Sequence, residues 1–221
     1  MKNILLIFLI LSGFTQCTRP CDICGEGRIM ENYVLKYYVF TDFSNIYYID
    51  VQTEESSGIK FEAVFYNGEL VNPIFPENED MYAKFREIAE YNGDTAYYRP
   101  VSTCFPYACL PHEAGRFDIC CDAEYGGYPA GTSLNEFVTV YFYSAEEFVK
   151  SAYAAEYANA PLKQYSKPLT EFNAGKHALV ASSGISFVLN IKPDYPAEYR
   201  FTFTYSGSSG EFVSNVYRDV K

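Results

Sequence analysis

The residues with which this chain could do chemistry are seven cysteines, two histidines and a surplus of acids. The cysteines are Cys17, Cys21, Cys24, Cys104, Cys109, Cys120 and Cys121, an odd number. Cys17 ends a hydrophobic leader, and its thiol suits lipid modification as the first residue of a bacterial lipoprotein. Phe14, Thr15 and Gln16 stand where that processing usually finds a Leu-like residue and small residues. The alternative is an ordinary secreted chain cleaved nearby, with Cys17 one more disulfide cysteine. Setting one cysteine aside for lipid leaves an even six, which in an oxidising compartment most economically form three disulfides. Adjacent Cys120 and Cys121, if they lie in the strand suggested by RFDICCD, point to opposite faces and need different partners. The pairing favoured here takes Cys21 and Cys24 to Cys120 and Cys121, and closes a local loop between Cys104 and Cys109. Zinc is the rival, since Cys21 and Cys24 form a C-x-x-C. The other pairs are C-x4-C and C-C, spacings unlike those of structural zinc sites, and no metal site or cofactor is expected.

Apart from the cysteines, few catalytic constellations are present. His112-Glu113 begins a zincin-like pair, but Arg116 occupies the second histidine's place. His112 reads as a loop residue near the disulfides and His177 as the start of a strand. The chain has no G-x-S-x-G elbow, phosphate-binding loop, dinucleotide fingerprint or EF-hand pattern. Its 28 acids leave room for a carboxylate pair able to hydrolyse glycans, although no pair stands out in the sequence. No catalytic residue is assigned.

The elements that must position these groups follow from patterning. Residues 1–16 carry Lys2, the apolar run Ile4 to Leu11 and a polar end, the layout of a signal peptide. That run falls short of the ~20 residues that span a bilayer. Residues 17–32 form a lipidated N-terminal cysteine segment, and residues 33–221 one domain. A formal charge of −11 argues against a nucleic-acid partner, which would require basic patches. With 22 Tyr, 18 Phe and no Trp, the composition favours strands, whose half-buried surfaces suit aromatic rings.

NYVLKYYVF and NIYYIDVQ read as two strands separated by a turn at Thr41 to Ser44. In IKFEAVFYNGELV, Asn67-Gly68 between apolar runs signals a hairpin. Met81, Phe85 and Ile88 recur at helical spacing ahead of Gly93, a C-terminal cap. Residues 97–128, rich in Pro, Gly and Cys, read as an irregular cross-linked loop. EFVTVYFY is a buried strand. After it, Ser144 and Glu147 form the capping box of a helix that carries Phe148, Ala152 and Ala155 on one face and stops at Pro161. ISFVLNI, RFTFTY and EFVSNVY are strands, the last two joined by a turn at Ser206 to Gly210. The predicted fold is a single β-sandwich, with the immunoglobulin arrangement as one form it can take, two short inserted helices and a disulfide-rich loop.

The segment Tyr128-Pro129-Ala130-Gly131-Thr132-Ser133-Leu134-Asn135, followed by a strand, resembles one recurring in uncharacterised cell-envelope lipoproteins of gut-dwelling Bacteroidetes. Together with Cys17, this resemblance implies an outer-membrane lipoprotein of a family with no assigned activity and no site residues to carry over. Asp94-Thr95-Ala96 resembles the O-glycosylation acceptor of such bacteria, which would place a glycan on Thr95. Thr18-Arg19-Pro20 follows the lipid cysteine where surface-exported relatives carry an acidic run, so the leaflet stays open. The resulting expectation is a binding or interaction module, held to the membrane by its lipid and meeting an envelope protein or glycan. A glycan hydrolase is the alternative.

Overall fold

Where apolar and polar residues alternate most regularly, the chain pairs into ladders that bury one face. A computed structural model describes residues 35–48, 58–71, 79–95, 107–154, 162–182, 185–208 and 210–220. All belong to the compact unit Asn32–Lys221. The leader, Cys17, Cys21, Cys24 and Cys104 lie outside the described residues.

In chain order the elements are β1 (Leu35–Tyr48), β2 (Ile59–Val71), α1 (Glu79–Tyr91), β3 (Tyr107–Cys109), β4 (Arg116–Cys121), β5 (Val138–Ser144), α2 (Glu146–Lys150), β6 (Lys163–Pro168), α3 (Leu169–Ala174), β7 (Ile185–Leu189), β8 (Ala197–Gly207) and β9 (Gly210–Val220). The protein is mainly β. One sheet runs β3-β1-β2-β7-β5-β6 and the other β4-β8-β9. Every pairing is antiparallel except that of β1 with β3. This strand order differs from the four-plus-three arrangement of an immunoglobulin domain.

One apolar core is shared by both sheets. Phe61 of the larger sheet meets Phe201 and Phe203 of the smaller at ring-centroid distances of 5.2 and 5.0 Å, edge to face. Phe117 meets Phe187 across the same core at 4.8 Å. Rings buried this completely contribute about 1.5–3 kcal/mol each from burial alone, and their edge-on geometry adds to that. Much of the Phe-rich composition is thereby accounted for: among the described residues, nine of the ten largest fully buried side chains are Phe, and the tenth is Tyr125. A second cluster packs Phe85, Ile88 and Ala89 of α1 against Phe148, Val149 and Tyr153.

Several expectations give way to tertiary pairing. The turn at Thr41 to Ser44 is instead a register shift between Asp42 and Asn45 inside the continuous strand β1, so the polar residues are absorbed as a bulge. Asn67-Gly68 forms no hairpin, because Gly68 pairs with Phe40 and β2 from Phe61 to Val71 lies along β1. A 14-residue partner strand supplies ladder bonds that the local turn would have forfeited. Residues 97–128 hold β3 and β4 rather than one irregular loop. α2 stops after five residues, and Ala152 and Tyr153 take φ of 54° and 63°, so the helix expected there is interrupted at Ala152; Ala155 and Pro161 lie outside the described residues. Ser144 Oγ accepts the Glu146 N–H at 3.1 Å, but the Glu147 carboxylate turns to Lys163 and Tyr165, and the capping box stays open. α3 had no counterpart in the sequence reading. Its Leu169 and Phe172, one turn apart behind Pro168, are both buried.

Candidate functional site

The segment Tyr128–Asn135 turns out to finish the smaller sheet. β4 is an edge strand, and alternate residues direct their backbone groups away from β8. Asn135 Oδ1 accepts the Ile119 N–H at 3.0 Å, while its Nδ2 donates to the Phe117 carbonyl at 3.2 Å. Asn173 repeats the arrangement on Phe117, accepting its N–H at 2.9 Å and donating to its carbonyl at 2.7 Å. The Leu134 N–H reaches the Ile119 carbonyl and the Gly131 N–H the Cys121 carbonyl, both at 2.7 Å. Gly131 holds φ at 78°, a conformation that admits glycine readily. Two amides and a loop thus satisfy the edge that a further strand would otherwise cover. This segment is structural.

A polar cleft lies elsewhere, at the β6 edge of the larger sheet. Phe142 and Ser144 come from β5, Tyr165 and Lys167 from β6, Glu146 from the start of α2, and Gly175 to Ala178 from the loop after α3. Its volume is about 220 Å³. Period-two alternation places Lys163, Tyr165 and Lys167 on one face of β6, and Tyr165 pairs directly with Phe142. The following loop is fixed by backbone bonds: Ala114 N–H donates to the His177 carbonyl at 2.8 Å, and Ser144 Oγ to the Ala178 carbonyl at 2.9 Å.

His177 forms part of this cleft rather than the start of a strand. It is 8% exposed. Its ring stacks on Phe172 at 4.4 Å and tilts against Phe142 at 5.1 Å. It donates to the Phe172 carbonyl, which assigns the proton to Nδ1, and Nε2 is buried without a partner. Burial, and secondarily the Lys167 charge, hold its pKa below the ordinary histidine value. The ring is therefore neutral at physiological pH. Gly175 lies directly against it, since a Cβ there would stand 2.9 Å from Nε2.

Around the cleft, lysines and carboxylates pair off. Lys150 meets Glu146 at 2.5 Å, Lys163 meets Glu147 at 2.6 Å, and Lys176 meets Glu113 at 3.3 Å. The hydrogen bond from Lys163 holds the Glu147 carboxyl below the usual range, and the Tyr165 hydroxyl assists. Lys167 has no ion-pair partner among the described residues. Of the cleft-lining side chains only Glu146 is a carboxylate, so the acid pair that glycan hydrolysis needs is not assembled here.

The other predicted residues scatter. Thr95 is exposed just beyond the C-terminus of α1, while the neighbouring Asp94 is fully buried and accepts a hydrogen bond from the Tyr153 hydroxyl. His112 meets the Tyr91 ring edge-on at 5.0 Å, and no three metal-binding side chains converge among the described residues. Cys109, Cys120 and Cys121 are unbridged in this structure, and the cysteines expected to pair with them, Cys21, Cys24 and Cys104, lie outside the described residues. Cys109 and Cys121 sit in apolar clusters, where a thiol packs as a small hydrophobe. Cys120 does point to the opposite face from Cys121, and its thiol donates to Asp118 at 3.3 Å. Burial pushes the Cys109 thiol up to about 12 and, with help from Asp118, the Cys120 thiol up to about 11.

No protein-family model, curated protein or solved structure matches this chain. The cleft escaped sequence reading because its members span residues 142–178 and belong to three strand and helix contexts. The only local trace is the K-x-Y-x-K alternation of β6.

Proposed function

We propose that the protein is a lipid-anchored envelope module, held by Cys17 and built as a β-sandwich of its own strand order, that binds an envelope glycan or protein partner through the cleft at His177. One observation carries the binding reading: Ser144, Glu146, Tyr165, Lys167 and Lys176 converge on a cleft of about 220 Å³ beside a histidine more than nine-tenths buried, whose Nε2 is buried and has no partner within the fold. Buried polar atoms are nearly always hydrogen-bonded, and exceptions concentrate where a ligand or function supplies what the fold does not. Support for the anchor is separate and comes from the leader, from Cys17 and from the resemblance to Bacteroidetes lipoproteins. No helix among the described residues is long and apolar enough to cross a membrane.

Two measurements test the reading. The intact mass of protein taken from its own membranes is expected to carry acyl chains on Cys17, and a mature chain without lipid overturns the anchor. Titration of the protein with solubilised envelope glycan and peptide fractions is expected to shift the His177 imidazole resonances. Unchanged resonances in every fraction overturn the cleft as the recognition site.

A further inference from the structure

His177 borders the cleft but is closed off from it, and by very little. Its ring is held between Phe172, stacked at 4.4 Å, and Phe142, tilted at 5.1 Å. Nε2 is buried without a partner. What covers it is Gly175, itself exposed to solvent and close enough that a Cβ would stand 2.9 Å from Nε2. Such an enclosure accommodates the neutral imidazole alone. A second proton, taken from solvent onto Nε2, would create an N–H with no acceptor and bury a full charge between two rings.

The groups facing the ring do not offset that charge. β6 brings the Lys167 ammonium, of the same sign, and Lys163, which is paired with Glu147. α2 brings Glu146, whose carboxylate is already held by Lys150. α3 carries Glu171, which is exposed, and the loop carries Lys176, paired with Glu113 of the segment before β4. In that same segment His112 meets Tyr91, while β5 presents Phe142 and Ser144, neither charged.

The chain over the ring is also lightly held. Among the described residues, two hydrogen bonds tie His177 and Ala178 to other elements: the Ala114 N–H to the His177 carbonyl at 2.8 Å, and Ser144 Oγ to the Ala178 carbonyl at 2.9 Å. From Leu179 to Ser182, by contrast, every residue makes a backbone bond to the chain around β3 and β5. Leu179, at the junction, holds φ at 50°, a left-handed conformation that costs a residue with a side chain. Backbone strain therefore sits at the foot of the stretch with least to hold it down.

We propose that residues 175–178 form an acid-opened latch: protonation of His177 expels the imidazole from between Phe142 and Phe172, the segment lifts about Leu179, and the cleft opens to its ligand. The control of binding rests on the reading that this cleft is the recognition site.

The test follows amide hydrogen exchange in the full mature chain, first without ligand. The Ala114 N–H reports the latch, because its acceptor is the His177 carbonyl. The Val140 N–H, in a strand paired on both sides, reports global unfolding. Ala114 should be the less protected and insensitive to low denaturant. Corrected for intrinsic exchange, its protection should fall about tenfold between about pH 7.5 and 5.5, the ratio for a proton bound only in the open state at an ordinary histidine pKa of about 6.5. In His177→Gln it should stay constant over that range. Protection at Ala114 equal to that at Val140, or unchanged by pH in the wild type, overturns the latch whether or not the variant folds. A pH dependence that survives in His177→Gln also overturns it. The solubilised envelope fractions should then bind about tenfold more tightly at the lower pH, in proportion to the open population. Equal binding at both pH values overturns control of the cleft by the latch, and binding at neither overturns the recognition reading while the exchange result stands.

Discussion

Asn135→Ala tests whether two side chains stand in for a missing strand. The substitution removes the acceptor of the Ile119 N–H and one of two side-chain donors to the Phe117 carbonyl. Ile119 is 0% exposed, so its N–H is left with little access to water. An orphaned buried donor costs about 1–3 kcal/mol. Asn135 itself is half-buried, which lets water replace part of the bond and places the expected loss near 1.5 kcal/mol. For a unit of this size each kcal/mol moves Tm by about 2–4 °C, so thermal unfolding should shift down by about 3–6 °C. Asn173→Ala should cost a similar amount by orphaning the Phe117 N–H. The two should not add, because the Phe117 carbonyl keeps one donor in either single variant and loses both in the double. The loss in the double variant should therefore exceed the summed losses of the singles by about 1 kcal/mol. Denaturant unfolding of the four proteins measures the cycle. A Tm change under about 1 °C for Asn135→Ala, or strict additivity, would refute the edge-sealing account.

Three further predictions concern the cleft and the thiols. Gly175→Ala places a Cβ 2.9 Å from His177 Nε2 and 3.1 Å from Cε1. It should displace the imidazole and destabilise the fold by about 1–3 kcal/mol, seen as a changed ring shift and a lower Tm. His177 has a folded pKa below its unfolded value of about 6.5, so its stabilising contribution is complete above that pH and drains as pH falls below it. Wild type should accordingly lose more stability than His177→Gln between about pH 7.5 and 5.5, and parallel pH profiles would contradict the assignment. In the reduced protein, Cys120 should alkylate far more slowly than a free thiol at about pH 8, because only on the order of one molecule in a thousand carries its thiolate. Asp118→Asn should speed that reaction, whereas Cys109 should stay unlabelled until the protein unfolds.

Local patterning was enough to determine the elements whose partners lie nearby or whose buried face is written residue by residue. Phe201, Phe203 and Tyr205 alternate into the core as their spacing requires, and the Gly/Ser turn joins β8 to β9. Phe85 and Ile88 face inward from α1, and Gly93 takes φ of 69° at its end. Cys120 and Cys121 diverge because adjacent residues on a strand must. Only the tertiary structure decided what long-range pairing governs. Asn67-Gly68 is a turn signal only in the absence of a partner strand, and β1 supplies one from more than 20 residues away. Ser144 and Glu147 have capping-box spacing, yet Lys163 on the neighbouring strand competes for the same carboxylate with a full charge. The cleft belongs wholly to this second class. No spacing in the chain announces that His177 will stack on Phe172, lie against Gly175 and keep Nε2 buried without a partner. These relations arise where α3 and its following loop are laid against β5 and β6, and burial, which gives them their chemical meaning, is a property of that packing alone.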